Sequence, residues 1–214
     1  MPRISLREAT EQAADRDPVL RRLVEAAGPL SHRARDPDGP FGALVRAIVY
    51  QQLAGRAAQA IHGRLLAAVG GRLTPEAVAA AGDAELRAAG LSTNKLASLR
   101  DLTGKVLDGT VELAAFARLS DAAITAELVT VRGIGRWTAE MYLMAELRRL
   151  DVWPVDDLGV RQGYGLAWGL DPPPTAKQLD PLGERFRPYR SIVARYCWAA
   201  LSLHRRGATP PAAR

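Results

Sequence analysis

The stretch "LVTVRGIGRWTAEMYLMAELRRLDVWPVDD" runs from Leu128 to Asp157, and its reading decides the fold. Gly133 and Gly135 flank Ile134 between two helical patterns, which makes a tight turn whose backbone amides no side chain blocks. The helix starting near Arg136 leaves its first N–H groups unbonded, and with the helix dipole these form a seat for a phosphate. An ordinary αα-hairpin also favours glycine, so the turn alone leaves both readings open.

Working outward, apolar residues recur at three- and four-residue spacing almost throughout, and alternating β-branched runs are missing. An all-α chain of about ten helices follows. "DPVLRRLVEAAGPL" is a helix ended by Gly28-Pro29; Phe41, Leu44, Ile48 and Val49 share one helical face; Ala57, Ile61, Leu65 and Val69 share another. Thr74, Asp83 and Ser120 read as N-caps, and Asp180 opens a short capped segment before a long last helix. Residues 207–214 read as a disordered tail. No repeat or long linker divides the 214 residues, which suits a single domain, residues 1–214.

Composition narrows the function class. A hydrophobic content of 48% supplies a core, and no apolar run reaches the roughly 18 to 20 residues of a membrane span. The first residues are too charged for a signal-peptide core, so a cytoplasmic protein, nucleoid-associated if bacterial, is expected, with no membrane partner. One cysteine, Cys197, excludes an intramolecular disulfide and reads as a buried apolar residue. His32, His62 and His204 lack ligand spacing, which speaks against zinc. The formal charge of +6 favours a polyanionic partner, though an ordinary solvated surface suits it as well.

With these residues in view, "VRGIGRWTAEMYL" resembles the helix-hairpin-helix motif of the DNA glycosylase superfamily, and "PVDD" resembles the segment carrying that superfamily's aspartate. "LVRAIVYQQLAGRAA" (Leu44 to Ala58) and "RPYRSIVARYCW" (Arg187 to Trp198) are similar to the 3-methyladenine DNA glycosylase II (AlkA-like) branch. The resemblance spans roughly residues 17 to 205. It implies two helical lobes with the active site in the cleft between them. A central lobe of about residues 52–151 would face one made from both chain ends, without the additional N-terminal β-domain of some members.

The resemblance also implies a chemistry. Breaking an N-glycosidic bond calls for one carboxylate that stabilises an oxocarbenium-like sugar and helps deliver water. An alkylated, cationic base leaves without a general acid, so the second carboxylic acid of two-carboxylate glycosidases is not required. Trp137 lies twenty residues before Asp157, the branch's spacing from hairpin aromatic to catalytic aspartate, so Asp157 is expected to act and Asp156 to cap the next helix. Tryptophan cannot replace the nucleophilic lysine that bifunctional members carry at the Trp137 position, which implies monofunctional hydrolysis.

Carried over by resemblance, Trp137, Trp198 and Tyr142 form an aromatic base pocket that gains cation–π energy from an alkylated base. Met141 stands where some relatives have an aromatic. Gln52, or Leu53 beside it, would fill the gap left by an extruded nucleotide. Gly133, Gly135, Arg136 and Thr138 would meet DNA. Arg190 and Ser191 would brace the cleft or reach DNA, without a catalytic role. Hairpin carbonyls of Val129, Val131 and Ile134 would hold a monovalent sodium or potassium ion, with no other cofactor required. The expected protein is a monomer acting on alkylated double-stranded DNA in base excision repair. Two alternatives stay open: a glycosylase for deaminated or mismatched bases, and a non-enzymatic damaged-DNA-binding module.

Overall fold

The computed structural model describes residues 4–207, so the expected tail lies outside the described residues except for Gly207. The chain is all-α: among the described residues it forms twelve α-helices and one 3-10 helix. The sequence reading counted about ten because α1 (Leu6–Ala14) buries alanines, Ala9, Ala13 and Ala14, instead of large apolar residues. Its start is set by a capping box in which Ser5 and Glu8 satisfy each other's amides.

The helices fall into two compact units, one of Ala34–Leu147 and one made from the chain up to Arg33 and from Arg148 onward. The boundary placed near Gln52 from the sequence lies at Ala34, because α3 (Gly39–Tyr50) packs against α4 (Gly55–Ala68), α7 (Thr93–Leu107) and α9 (Arg136–Ala145). Phe41, Leu44, Val45, Ile48 and Val49 of α3 are all buried there. On α4 the buried alanine is Ala58, not Ala57. α5 (Pro75–Ala80) is capped by Thr74, with proline in its first turn where the missing N–H costs nothing. α6 (Asp83–Ala88) starts one residue earlier than expected: Gly82 is its N-cap, and Asp83 instead pairs with Arg100 at 2.7 Å. Ser92 caps α7, Ser120 caps α8 (Asp121–Leu128), and the glycine hairpin joins α8 to α9.

In the other unit α2 (Pro18–Ala27) starts on Asp17, whose carboxylate accepts the Val19 and Leu20 amides. α10 (Leu158–Trp168) runs against the last helix, α12 (Arg190–Arg205). α11 (Ala176–Leu182) begins at a Thr175–Gln178 capping box and not at Asp180, which lies inside the helix. A 3-10 turn (Glu184–Phe186) leads into α12. The core side of α12 contributes Ile192, Val193, Tyr196 and Cys197, all fully buried, at roughly 1.5–3 kcal/mol for each large apolar side chain. Trp153 is buried with its indole N–H on the Leu179 carbonyl, and Trp168 stacks on Tyr164 at 4.1 Å.

Candidate active site and nucleic-acid interface

Asp157 sits at the junction where the segment after α9 turns into α10. It is the N-cap of that helix: its Oδ1 accepts the Val160 amide at 2.8 Å. The capping role assigned to Asp156 is therefore corrected, since Asp156 is exposed and the side chain one residue on does the capping. Asp157 itself is only 9% exposed, which is low for a carboxylate and requires hydrogen-bond compensation. Part of that compensation comes from far along the chain, because the Trp198 indole N–H donates to the same Oδ1 at 2.9 Å.

The two donors approach from different elements, one from α10 and one from α12, and so fix both position and orientation of the carboxylate. Their approach depends on two glycines four residues apart on α10. A Cβ at Gly159 would stand 3.0 Å from Trp198 Cδ1 and 3.1 Å from Asp157 Oδ1. At Gly163 it would stand 1.9 Å from the Cys197 carbonyl oxygen, an impossible contact that explains how closely α10 lies on α12. Sequence reasoning passed over both. The i, i+4 glycine pair facing a long apolar helix was the available signal.

The segment leading to Asp157 is pinned from the start of α12. Arg190 grips Asp151 through Nε at 2.8 Å and Nη2 at 3.1 Å, a forked contact that lysine could not make. Ser191 bonds both ways across the chain, its amide donating to the Leu150 carbonyl at 2.9 Å and its Oγ accepting the Val152 amide at 2.9 Å. Bracing is thus the role the structure assigns to both residues. Behind them the Cys197 thiol is raised well above its ordinary pKa by burial and by the Asp157 charge, which keeps it unreactive.

In the central unit the hairpin has the form expected at Gly133 but not at Gly135. Gly133 takes φ +77, and an added Cβ would stand 2.5 Å from Ser98 Oγ, so glycine is required twice over. Gly135 lies at φ −92 in extended backbone with open space around it. It serves as the N-cap of α9, with no side-chain cap hydrogen bond at that end. Asp101 on α7 accepts the Arg132 amide at 2.7 Å and pairs with Lys105 at 2.8 Å, while Lys105 also donates to the Thr130 carbonyl. Partial burial works against ionisation of Asp101, yet the Lys105 ammonium and the Arg132 amide hold its carboxyl below the usual value.

The expected DNA-facing residues divide. Arg136 is exposed, with its Nε on Glu140 at 2.9 Å, whereas Thr138 is only 7% exposed. Gln52 is exposed at φ +56, and Leu53 beside it is 39% exposed, unusual for leucine. Trp137 is 46% exposed, whereas Tyr142 is 4% exposed, with its ring edge-on to Phe116 at 6.1 Å and its hydroxyl buried without a hydrogen-bond partner. Tyr142 is thereby a packing residue of its unit, and the open aromatic of this helix is Trp137. Of the three carbonyls expected at a cation, Val129 closes α8 as its C-cap and is exposed, and Val131 accepts the Ile134 amide.

The sequence and the fold are matched by known proteins. A family model described as HhH-GPD superfamily base excision DNA repair protein matches residues 45–188. DNA-3-methyladenine glycosylase 1 of Schizosaccharomyces pombe is 34% identical over 203 residues, covering 93% of this chain and 89% of that protein. Among solved structures, a DNA-3-methyladenine glycosidase from Bacillus halodurans superposes with a TM-score of 0.86 at 32% identity, covering 94% of this chain and 92% of the other. The 3-methyladenine DNA glycosylase of S. pombe in complex with abasic DNA superposes with a TM-score of 0.78 at 33% identity, covering 89% and 94%.

Proposed function

This chain belongs to the HhH-GPD superfamily of base excision DNA repair proteins, and from that premise we propose that it is a monofunctional DNA glycosylase. It hydrolyses the N-glycosidic bond of alkylated bases, of the 3-methyladenine and 7-methylguanine kind, in double-stranded DNA. The names of the relatives support the substrate class, and the S. pombe enzyme with abasic DNA supports DNA as the partner. The observation within this chain that carries the reading is Asp157: a nearly buried carboxylate oriented by Trp198 and the Val160 amide.

Each part has a physical role. The first turn of α9, which has no side-chain cap, takes a backbone phosphate, which positions the protein without reading sequence. Gln52, with Leu53 beside it, fills the space of the extruded nucleotide at a cost of a few kcal/mol of unstacking. Trp137 offers an exposed indole face to a cationic base, worth about 1–2 kcal/mol when desolvated. The base leaves with its positive charge neutralised by the bond electrons, Asp157 stabilises the cationic sugar, and water attacks with the carboxylate taking its proton. Trp137 has no nucleophilic atom, so no Schiff base forms there and the product is an abasic site. Main-chain carbonyls of Val129, Val131 and Ile134 are hard oxygen donors of the kind that would hold a sodium or potassium ion, which would supply positive charge.

The test is Asp157→Asn, which keeps an oxygen for both donors but removes the charge. With methylated duplex and mass spectrometry of liberated bases, the variant is expected to release none while binding abasic duplex as the parent does. Release at the parental rate would remove Asp157 from the mechanism.

A further inference from the structure

The Gln52 loop is held by a residue of α7 that is not among those expected to meet DNA or base. α3 ends at Tyr50, and its last turn would leave carbonyls without partners. Lys95, on the first turn of α7, supplies them: its Nζ donates to the Val49 carbonyl at 2.5 Å and the Gln51 carbonyl at 2.9 Å. Burial lowers the Lys95 pKa, a cost of the charged form that these two acceptors offset. From the other side Gln51 Nε2 donates to the Gly133 carbonyl at 2.9 Å, tying this loop to the hairpin. Directly after Gln51, which is held at both its carbonyl and its side chain, stands Gln52 at φ +56, a conformation rare outside glycine that persists only where its surroundings over-determine it.

The same face of α7 carries the hairpin. Ser98 lies against Gly133 about one turn along the helix from Lys95, and Asp101, nearly one turn beyond Ser98, accepts the Arg132 amide. A single helix thus grips both loops of the central unit, with Lys95 on one and Asp101 on the other.

We propose that Lys95 is a positioning residue for base extrusion: by holding the Val49 and Gln51 carbonyls it sets Gln52 in the left-handed conformation and keeps that side chain in register with the phosphate-binding hairpin. The proposal rests on the reading of Gln52 as the residue that fills the vacated space. Lys95 touches neither substrate nor hairpin. Its loss therefore leaves the phosphate seat intact and unfixes the Gln52 loop, and misplacement on the order of 1 Å at a positioning group slows chemistry by up to about a hundredfold.

The experiment uses the full chain with Lys95→Met and Lys95→Arg, the second able to reach both carbonyls through its guanidinium. A duplex carrying 2-aminopurine beside a tetrahydrofuran abasic site reports unstacking by fluorescence, and methylated duplex reports base release under single turnover. Expected for Lys95→Met are a thermal transition still cooperative, affinity for undamaged duplex within about twofold of the parent, loss of most of the fluorescence rise, and release slowed at least about tenfold. Lys95→Arg is expected to recover most of both signals. A parental fluorescence rise in Lys95→Met overturns the proposal, as does an equal loss of affinity for undamaged and abasic duplex, which would make Lys95 a part of the phosphate seat or of general stability. A parent protein that unstacks 2-aminopurine but releases no methylated base defeats the glycosylase reading alone, leaving Lys95 to be judged on fluorescence.

Discussion

Trp198 donates its indole N–H to Asp157 Oδ1 at 2.9 Å, across 41 residues of sequence, and this bond makes the ring an orienting group for the carboxylate. Trp198→Phe keeps an aromatic ring, though a smaller one, and removes the donor. A hydrogen bond to a charged group is worth roughly 1.5–3 kcal/mol, so base release is expected to fall about 10- to 100-fold if the bond is fully used in the transition state. Single-turnover release from methylated duplex measures it. An unchanged rate would mean that Trp198 acts only as a wall for the base.

The neighbouring aspartates separate cleanly. Asp156→Asn changes an exposed side chain that caps nothing, and base release is expected within about twofold of the parent and stability within about 0.5 kcal/mol. Loss of release in this variant, with Asp157 intact, would reverse the assignment of the carboxylate.

The hairpin glycines are not equivalent. Gly133→Ala adds a Cβ against Ser98 at a positive φ and is expected to weaken binding to every duplex several-fold. Gly135→Ala enters open space at ordinary φ and is expected to bind nearly as the parent. Fluorescence anisotropy with undamaged and abasic duplexes distinguishes the two. Equal losses would show that the left-handed conformation at Gly133 is not what separates the two positions.

Packing of α10 on α12 gives a stability prediction. Gly163→Ala cannot be accommodated without moving a backbone, because the new carbon would lie 1.9 Å from the Cys197 carbonyl oxygen. A loss on the order of 3 kcal/mol, or about 5–10 °C in Tm, is expected by calorimetry. The buried Cys197 thiol supplies an independent readout, since a thiol reagent at neutral pH should label it only as the protein unfolds. Labelling of the Gly163→Ala variant should then begin at lower temperature than that of the parent.

Acid should loosen the hairpin through Asp101. Its folded pKa is lowered from an ordinary 3.8, so its contribution to stability is complete above that pH and is lost as pH falls through the lower folded value. Amide exchange at Arg132, protected by Asp101 at neutral pH, should deprotect in that acid range ahead of the α7 core amides. In Asp101→Asn the same amide is expected to exchange faster already at neutral pH. Identical protection in parent and variant would sever the link between α7 and the hairpin.

Much of this protein was legible before any coordinates. Helical periodicity, the caps at Thr74 and Ser120 and the glycine demanded at position 133 depend on groups within about four residues of one another, and the spacing of types along the chain records them. Other features escaped: α1, whose buried face is alanine, the boundary at Ala34, and the cap at Asp157 in place of Asp156.

The sequence by itself determined an all-helical chain, the order of its motifs and the short list of residues that could do chemistry. Only the tertiary structure decided which aspartate Trp198 holds, that Tyr142 is packed while Trp137 stays open, and that Lys95 grips the end of α3. The physical reason is range. Hydrogen bonds within a helical turn follow from neighbouring residue types, whereas the burial of a carboxylate or an ammonium, and the distant donors or acceptors that compensate it, exist only after helices remote in sequence have packed.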